Sequence, residues 1–303
     1  MDRIQAFLND ISTIAPALTL RLEEPLSRHT SFRIGGPAEL MAFPQSVEEL
    51  RAVLVCAASC GIKPILLGAG TNVLAPDEGL RGLVITLRDC LSGCERSSET
   101  EITALAGTTM AKAATFAKDC RLSGLEFAHG IPGTVGGGVY MNAGAYGGEI
   151  RQVAVRTEFL TMDGEARTIE GDAQGFSYRM SRFQSMEGAI VRTVFSLQPA
   201  QKEEIRAQMQ ELAERRRSSQ PLEYPSAGST FKRPQQGYAA ALIEQAGLKG
   251  KGVGRAAVSE KHAGFVVNLG GATCKEVLAT MELVRETVLR QTGIELEPEV
   301  KLL

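Results

Sequence analysis

Tryptophan is absent from the 303 residues, which says little, but three other shortages exclude whole classes of function. Histidine occurs only at His29, His129 and His262, and the six cysteines, Cys56, Cys60, Cys90, Cys94, Cys120 and Cys274, form two Cx3C pairs and two singletons. No zinc-ligand spacing or CxxC redox pair can be drawn from that set, so no metal is expected and the cysteines read as reduced, small core residues. Positive charge is not concentrated: 33 Lys and Arg against 35 Asp and Glu leave a net charge of −2, and the longest basic block is Arg215 to Arg217. That is not the basic footprint of a nucleic-acid-binding protein. The longest uncharged apolar stretch, Ala52 to Ile62, is interrupted by Cys, Ser and Gly and falls well short of the ~20 residues that span a bilayer. Asp2 and Arg3 interrupt what would be the apolar core of a signal peptide, so a cytoplasmic protein with no membrane partner is expected.

What is present is a balanced globular composition, 44% hydrophobic and 22% charged, in a chain longer than the ~100–200 residues of one ordinary domain. Ser46 and Glu49 form a capping box before Leu50, Val53, Leu54 and Ala57, which share one helical face. A short strand over 64–67 runs into Gly68-Ala69-Gly70-Thr71-Asn72, with a further strand over 82–87 and a helix over 110–122. From 153 the period changes to two, and Asp163-Gly164 between two runs reads as a hairpin with a primed turn. A strand covers 189–197. A polar helix follows over 201–217, ending in cations, and a domain boundary is placed there. Beyond it come a helix over 238–246, strands over 253–258 and 265–269, and a helix capped by Thr273 and Glu276 that runs to Gly293. The class is α+β. The expected domains are 1–88 (with the tail 294–303 returning to it), 89–200 and 201–293.

Glycine is the first functional signal: nine of the 32 fall within residues 124–148. Gly68-Ala69-Gly70-Thr71-Asn72 directly after a strand can turn its amides toward an anion such as a pyrophosphate, although a plain tight turn has the same composition. It matches neither the GxGxxG of a dinucleotide-binding domain nor the P-loop. The second cluster, Gly124 to Glu149, is too long for one turn, so its backbone approaches something closely: a cofactor, or another part of the protein.

Six segments then occur in one order: Arg28 to Pro37, Leu67 to Leu74, Gly124 to Glu149, Tyr178-Arg179, Pro225 to Lys232 and Glu297 to Lys301. Together they resemble the UDP-N-acetylenolpyruvoylglucosamine reductase family (UDP-N-acetylmuramate dehydrogenases) over nearly the whole chain. The resemblance implies an FAD-binding part of the vanillyl-alcohol-oxidase type, made of two subdomains that hold the flavin between them, plus an α+β substrate-binding domain. It implies that NADPH reduces a noncovalent FAD, which then passes hydride to the enolpyruvyl double bond of a UDP-sugar in peptidoglycan synthesis. The cofactor-binding positions it implies are Gly68, Ala69, Gly70, Thr71, Asn72, Val73 and Leu74, and Gly130, Ile131, Pro132, Gly133, Thr134, Gly137 and Gly138. A monomer or weak oligomer is expected.

The matching catalytic positions are Ser229, Arg179 and Glu299, and the chemistry suits them. Hydride addition at an enolpyruvyl C3 leaves negative charge at C2 beside a carboxylate, so the site must offset that charge and then supply a proton. Arg179 can grip a carboxylate with two parallel donors. Ser229 matches the family's proton donor, and Glu299 is implied to polarise the substrate carboxylate with Arg179. Read singly, Ser229 is a turn serine, Arg179 a surface cation and Glu299 a capping or pairing acid, readings that the residues alone leave open. Tyr178, Lys232, Asn142 and Tyr146 are substrate or flavin contacts on the same implication. His262 reads as structural.

The short interval from Glu149 to Tyr178 leaves no room for the inserted substrate-clamping tyrosine of one branch, which points to the compact second type. Lys301 stands where the family has arginine, which removes the planar fork. The competing reading on the same fold is an FAD-dependent oxidase or dehydrogenase of a small hydroxy acid or alcohol. That enzyme needs neither the Ser226-Ala-Gly-Ser229 segment nor the Glu297-Pro-Glu-Val300 tail. A noncatalytic nucleotide-binding module is the third, and it sits poorly with intact Ser229, Arg179 and Glu299.

Overall fold

The computed structural model describes residues 3–303. The chain gathers into two compact units, neither continuous in sequence. The first takes the chain up to Leu22, Leu40–Ala69 and Gly82–Arg215, and the second takes Glu23–Glu39, Gly70–Arg81 and Arg216–Leu303. Three strands (Thr19–Pro25, Pro37–Phe43 and Leu80–Thr86) and one long helix carry the chain from unit to unit in mid-element. The fifth crossing, Ala69 to Gly70, falls in the first glycine segment, and the other four carry no Gly- or Pro-rich linker. The expected divisions at 88, 200 and 293 run sequentially along the chain, whereas these units interleave.

In the first unit, helix α1 (Arg3–Ile14) buries Ile4, Phe7 and Ile11 on one face. Helix α2 (Val47–Ser59) is the helix expected from Ser46. The Ser46 hydroxyl accepts from the Glu49 amide at 3.1 Å, while the Glu49 carboxylate reaches back to the Gln45 amide at 2.7 Å, one residue earlier than a standard capping box places it. Leu50, Val53, Leu54 and Ala57 are fully buried as the face predicted. Strand Ile65–Leu67 pairs parallel with Leu80–Thr86 at one end of a four-stranded sheet. A second sheet of five strands has the order 166–170, 154–161, 188–196, 101–105, 94–96, antiparallel throughout. The hairpin 154–170 forms as expected, but not through a primed turn. Only Gly164 has positive φ, and its amide donates to Thr161 O at 3.0 Å, so Asp163 needs no left-handed conformation.

Helix α3 (Met110–Asp119) is capped by Thr109. The glycine stretch, expected as a loop, contains a short helix α4 (Val135–Tyr140) capped by Thr134. Two of its glycines are packing requirements. A Cβ on Gly136 would lie 2.9 Å from the Ala106 Cβ, and one on Gly138 2.9 Å from the Met110 sulfur. Part of the glycine excess therefore serves close backbone packing inside the protein. Helix α5 (Lys202–Ser219) is the polar crossing helix, burying only Ile205 and Met209.

The second unit has its own core of Phe32, Ile34, Leu74, Phe231 and residues of α6 (Ala239–Gln245) and α7 (Cys274–Thr292). The Thr273–Glu276 capping box forms, Gly293 ends α7 in the left-handed conformation, and the Asp77 carboxylate adds a second cap by accepting from the Cys274 and Lys275 amides at 2.7 and 3.2 Å. The tail comes back to pair Lys301 and Leu302 parallel with Val73 and Leu74. No helix among the described residues is long and apolar enough to cross a membrane.

Candidate active site

The first glycine segment has an open hydrogen-bond account. None of the backbone N–H groups of Gly68, Ala69, Gly70, Thr71 and Asn72 donates to an acceptor among the described residues, although Ala69 and Gly70 are buried. Buried amides are almost always paired, so the unpaired Ala69 and Gly70 amides, with the half-buried ones of Gly68, Thr71 and Asn72 beside them, can receive an external acceptor, and their partial charges suit an anion. Gly70 is also required sterically: its φ is +61°, and a Cβ would lie 2.0 Å from His29 O. In the second unit Ser31 N donates to Gly70 O at 3.0 Å, and Ser31 Oγ donates to Ser226 O at 2.6 Å. These bonds tie the Arg28–Pro37 motif to the Ser226–Ser229 motif.

The second glycine segment differs. The amides of Gly133, Val135, Gly136, Gly137 and Gly138 are committed to Ile131 O, Thr108 O, Ala106 O, Thr134 Oγ1 and Thr134 O. Pro132 and Gly137 are nevertheless exposed, and the only atom near a Cβ placed on Gly137 is Thr134 Oγ1 at 3.4 Å. This segment offers a bare surface for a flat group rather than a set of donors. Just before it, Glu126 is buried. One of its oxygens accepts from the Gly124 amide at 2.8 Å, and the other, Oε1, has no partner among the described residues.

The Arg179 region lies in the first unit. Ser177 and Met180 close a tight turn with Tyr178 and Arg179 at its centre, and Arg179 has φ +56°. Asn142 (φ +42°) and Tyr146 (φ +54°) are left-handed as well, so three of the seven non-glycine residues with positive φ are candidate site residues. Arg179 and Tyr146 each cost about 1–2 kcal/mol in such a conformation, which asparagine adopts more readily, and strain of this kind concentrates at functional sites. The Arg179 guanidinium lies 5.4 Å from the Tyr178 ring centroid, and Tyr146 and Tyr178 are exposed. Asn142 departs from expectation. It is buried, both of its amide hydrogens are engaged, on Glu149 Oε2 at 3.0 Å and Ser177 O at 2.9 Å, and its oxygen accepts from the Arg151 amide. Its side chain braces the loop.

Ser229, Lys232 and Glu299 lie in the second unit, where the tail pairs with the Ser229 segment. Glu299 N donates to Thr230 O, Lys232 N donates to Glu297 O, and Phe231 bridges Pro298. Ser229 is exposed, and its hydroxyl makes no hydrogen bond among the described residues, whereas Glu299 is buried. Asn72 Nδ2 donates to Glu299 O at 3.3 Å and Lys301 N to Asn72 O at 3.0 Å, so the acid sits directly beside the first glycine segment. The Lys232 ammonium is ion-paired with Glu297, and the Lys301 side chain is exposed. His262 is a structural group: its Nδ1 accepts from the Gly264 amide at 3.1 Å, its ring meets Phe265 edge-on, and burial lowers its pKa.

One group of potential metal ligands occurs among the described residues, Asp10, Cys56 and Cys60, within 4.8 Å of one another. Burial pushes the Cys56 thiol up to about 11, and that thiol donates to Phe7 O, so it is a packed core thiol. Residues that drew no attention in the sequence include Asp77, Ser181 and Gln184. Each acts through a hydrogen bond to distant backbone, which leaves no local pattern.

Residues 38–170 match the family described as FAD binding domain, and residues 220–303 match UDP-N-acetylenolpyruvoylglucosamine reductase, C-terminal domain. The chain is 46% identical over 310 residues to UDP-N-acetylenolpyruvoylglucosamine reductase of Agathobacter rectalis, covering 99% of this chain and 98% of that one. It is 43% identical to the enzyme of the same name from Syntrophomonas wolfei, covering 97% and 98%. Among solved structures, UDP-N-acetylenolpyruvylglucosamine reductase (MurB) from Thermus caldophilus superposes with a TM-score of 0.76 at 34% identity, covering 94% of this chain and 98% of that one. With the glycine cradle, the strained arginine turn and the tail-paired serine all on residues these relatives span, the chain belongs to the UDP-N-acetylenolpyruvoylglucosamine reductase family.

Proposed function

We propose that the chain catalyses NADPH-dependent, FAD-mediated reduction of UDP-N-acetylglucosamine enolpyruvate to UDP-N-acetylmuramate, a step of peptidoglycan precursor synthesis in the cytoplasm. The observation that carries the cofactor reading is the run of five unpaired amides from Gly68 to Asn72, which fits the pyrophosphate of a dinucleotide. Val73 and Leu74 continue that segment as a strand. Gly130 to Thr134, with Gly137 and Gly138, supply the bare surface for a flat part of the same molecule. We assign the expected subdomains 1–88 and 89–200 to this binding, each built on one of the two larger sheets, and 201–293 to the substrate. The interval from Glu149 to Tyr178 holds only the hairpin and short turns, in keeping with the compact second type.

When bound and reduced by NADPH, FAD supplies the hydride. The chain's own residues handle charge and proton. The Arg179 guanidinium holds the substrate carboxylate, and its permanent charge offsets the negative charge that grows at C2 when hydride reaches C3. Glu299 hydrogen-bonds the same carboxylate. Ser229 delivers a proton to C2, and the double bond becomes a lactyl ether carrying one hydride and one proton more than the substrate. Tyr178 and Tyr146 have exposed rings that are available to the substrate. Lys232, neutralised by Glu297, orients the Ser229 segment. The enzyme works as a monomer or weak oligomer.

The test is the visible spectrum of the holoprotein without oxygen. A flavin band that bleaches with NADPH and returns on adding the enolpyruvyl sugar establishes both half-reactions. Bleaching without return keeps the flavin and rejects the substrate, and would favour the hydroxy-acid oxidase reading. Acid precipitation releases the yellow cofactor into the supernatant if FAD is held noncovalently; a coloured pellet rejects that point.

A further inference from the structure

Arg179 occupies a turn position that favours glycine or asparagine, so something must hold it there. Within the turn, Ser177 N donates to Met180 O at 3.0 Å and Met180 N to Ser177 O at 3.1 Å, which closes the loop from inside. Gln184 braces the turn from outside: Nε2 donates to Arg179 O, the carbonyl of the Arg179–Met180 peptide, at 3.0 Å and also to Tyr140 O at 2.9 Å. Tyr140 is the last residue of α4, where a helix carbonyl has no intrahelical donor. Ser181 Oγ donates to the same carbonyl at 2.7 Å, and Asn142 Nδ2 anchors Ser177 O at 2.9 Å.

We propose that Gln184 is a positioning residue for the reaction: it fixes the left-handed Arg179 turn against the C-terminus of the glycine helix α4, and so sets the guanidinium that holds the substrate carboxylate. The proposal rests on the assignment of Arg179 made above. A primary carboxamide is the group the geometry requires. Its two N–H donors satisfy two carbonyls that converge from different elements, whereas a carboxylate of the same shape would face both carbonyls with lone pairs. Gln184 is only half-buried and packs no core, so its exchange leaves the fold intact. The same clamp joins the arginine to the segment that carries Gly137 and Gly138, which keeps the substrate's carboxylate grip in register with the candidate flavin surface. Gln184 itself touches neither ligand.

The experiment compares the holoenzyme with Gln184→Ala, Gln184→Glu, Arg179→Ala and the Gln184→Ala/Arg179→Ala double variant in single turnover, following flavin reduction by NADPH and reoxidation by the enolpyruvyl UDP-sugar separately. Both Gln184 variants are expected to keep parental flavin content and reduction rate, to reoxidise about 10-fold to 100-fold more slowly, and to bind the enolpyruvyl sugar more weakly, as displacement of a binding group by about 1 Å produces. In the Arg179→Ala background, Gln184→Ala should cost nothing further, because the group it positions is gone. Parental reoxidation in both Gln184 variants overturns the proposal, as does an undiminished loss in the Arg179→Ala background. A parallel fall in flavin content and in both half-reactions makes Gln184 merely structural and overturns it too. If Arg179→Ala itself reoxidises at the parental rate, the Arg179 assignment falls and takes this proposal with it; if Arg179→Ala is slow while the Gln184 variants are not, only the proposal falls.

Discussion

The Glu299 amide donates to the Thr230 carbonyl at 2.8 Å, which puts the buried acid one residue from the Ser229 register. Lys232 N to Glu297 O and the Phe231–Pro298 bridge extend the same antiparallel pairing. The relative placement of the proposed proton donor and its acidic neighbour is therefore set by main-chain bonds. Either side chain can be changed without undoing the main-chain geometry that presents the other.

Ser229→Ala should consequently fold and bind flavin like the parent. Its exposed hydroxyl makes no hydrogen bond among the described residues, so its loss leaves no buried orphan. Flavin reduction by NADPH should be unchanged and reoxidation by the enolpyruvyl sugar slowed by about 10²–10⁴-fold, the usual contribution of general acid catalysis. Parental turnover in stopped-flow would reject Ser229 as the donor.

Arg179→Gly separates stability from function at one position. Glycine adopts φ +56° without the Cβ penalty, so the variant should be as stable as the parent or more stable by up to about 1 kcal/mol in urea unfolding. Its reoxidation by substrate should collapse with the guanidinium gone. A clear loss of stability would show that the side chain holds the fold, and would weaken its assignment to the site.

The elements with strong local signals were legible in the sequence. Ser46 and Thr273 announced their helices through side chains that cap within three residues, and Gly164 announced a hairpin, though not its turn geometry. The turn over Gly68–Asn72 was legible because a glycine turn after a strand is a local signal. The division into units was not, since strands 19–25, 37–43 and 80–86 cross between units in mid-element and carry no compositional mark. Helix α4 was hidden because three glycines argue against helix until the close approach of Ala106 and Met110 is known. The same limit hid Gln184 and misread Asn142: a carboxamide that ties backbone to backbone over 44 or 35 residues, as these do, looks like any polar loop residue in the sequence.

Stability should fall on the acid side in a way traceable to histidine. Burial lowers the His262 pKa, with Lys249 adding to the effect and a backbone hydrogen bond and Glu244 opposing it; burial also lowers that of His129, with help from Lys118. The native state thus binds fewer protons than the unfolded chain below the unfolded value of about 6.5. Stability is complete above about pH 6.5 and is lost as pH falls toward the depressed native values. His262→Asn, whose short amide can still accept from Gly264 N, should show a shallower decline in urea midpoint between pH 7.5 and 5.5. An unchanged slope would assign the acid sensitivity elsewhere.

The two glycine segments make opposite predictions when each receives a methyl group. Gly70→Ala places a Cβ 2.0 Å from His29 O at φ +61°, so it should cost about 3 kcal/mol and release flavin together with stability. Gly137→Ala meets only Thr134 Oγ1 at 3.4 Å within a helix, where alanine is favoured over glycine by up to about 1 kcal/mol. The flavin-free protein should therefore be as stable as the parent or more so. If the exposed face of α4 lies against the cofactor, the same methyl group must lower FAD affinity, read by titration of the deflavinated protein. A Gly137→Ala protein that is stabilised and binds FAD like the parent would place the cofactor away from α4. It would leave the Gly68–Asn72 amides as the only part of the cradle that the hydrogen bonding requires.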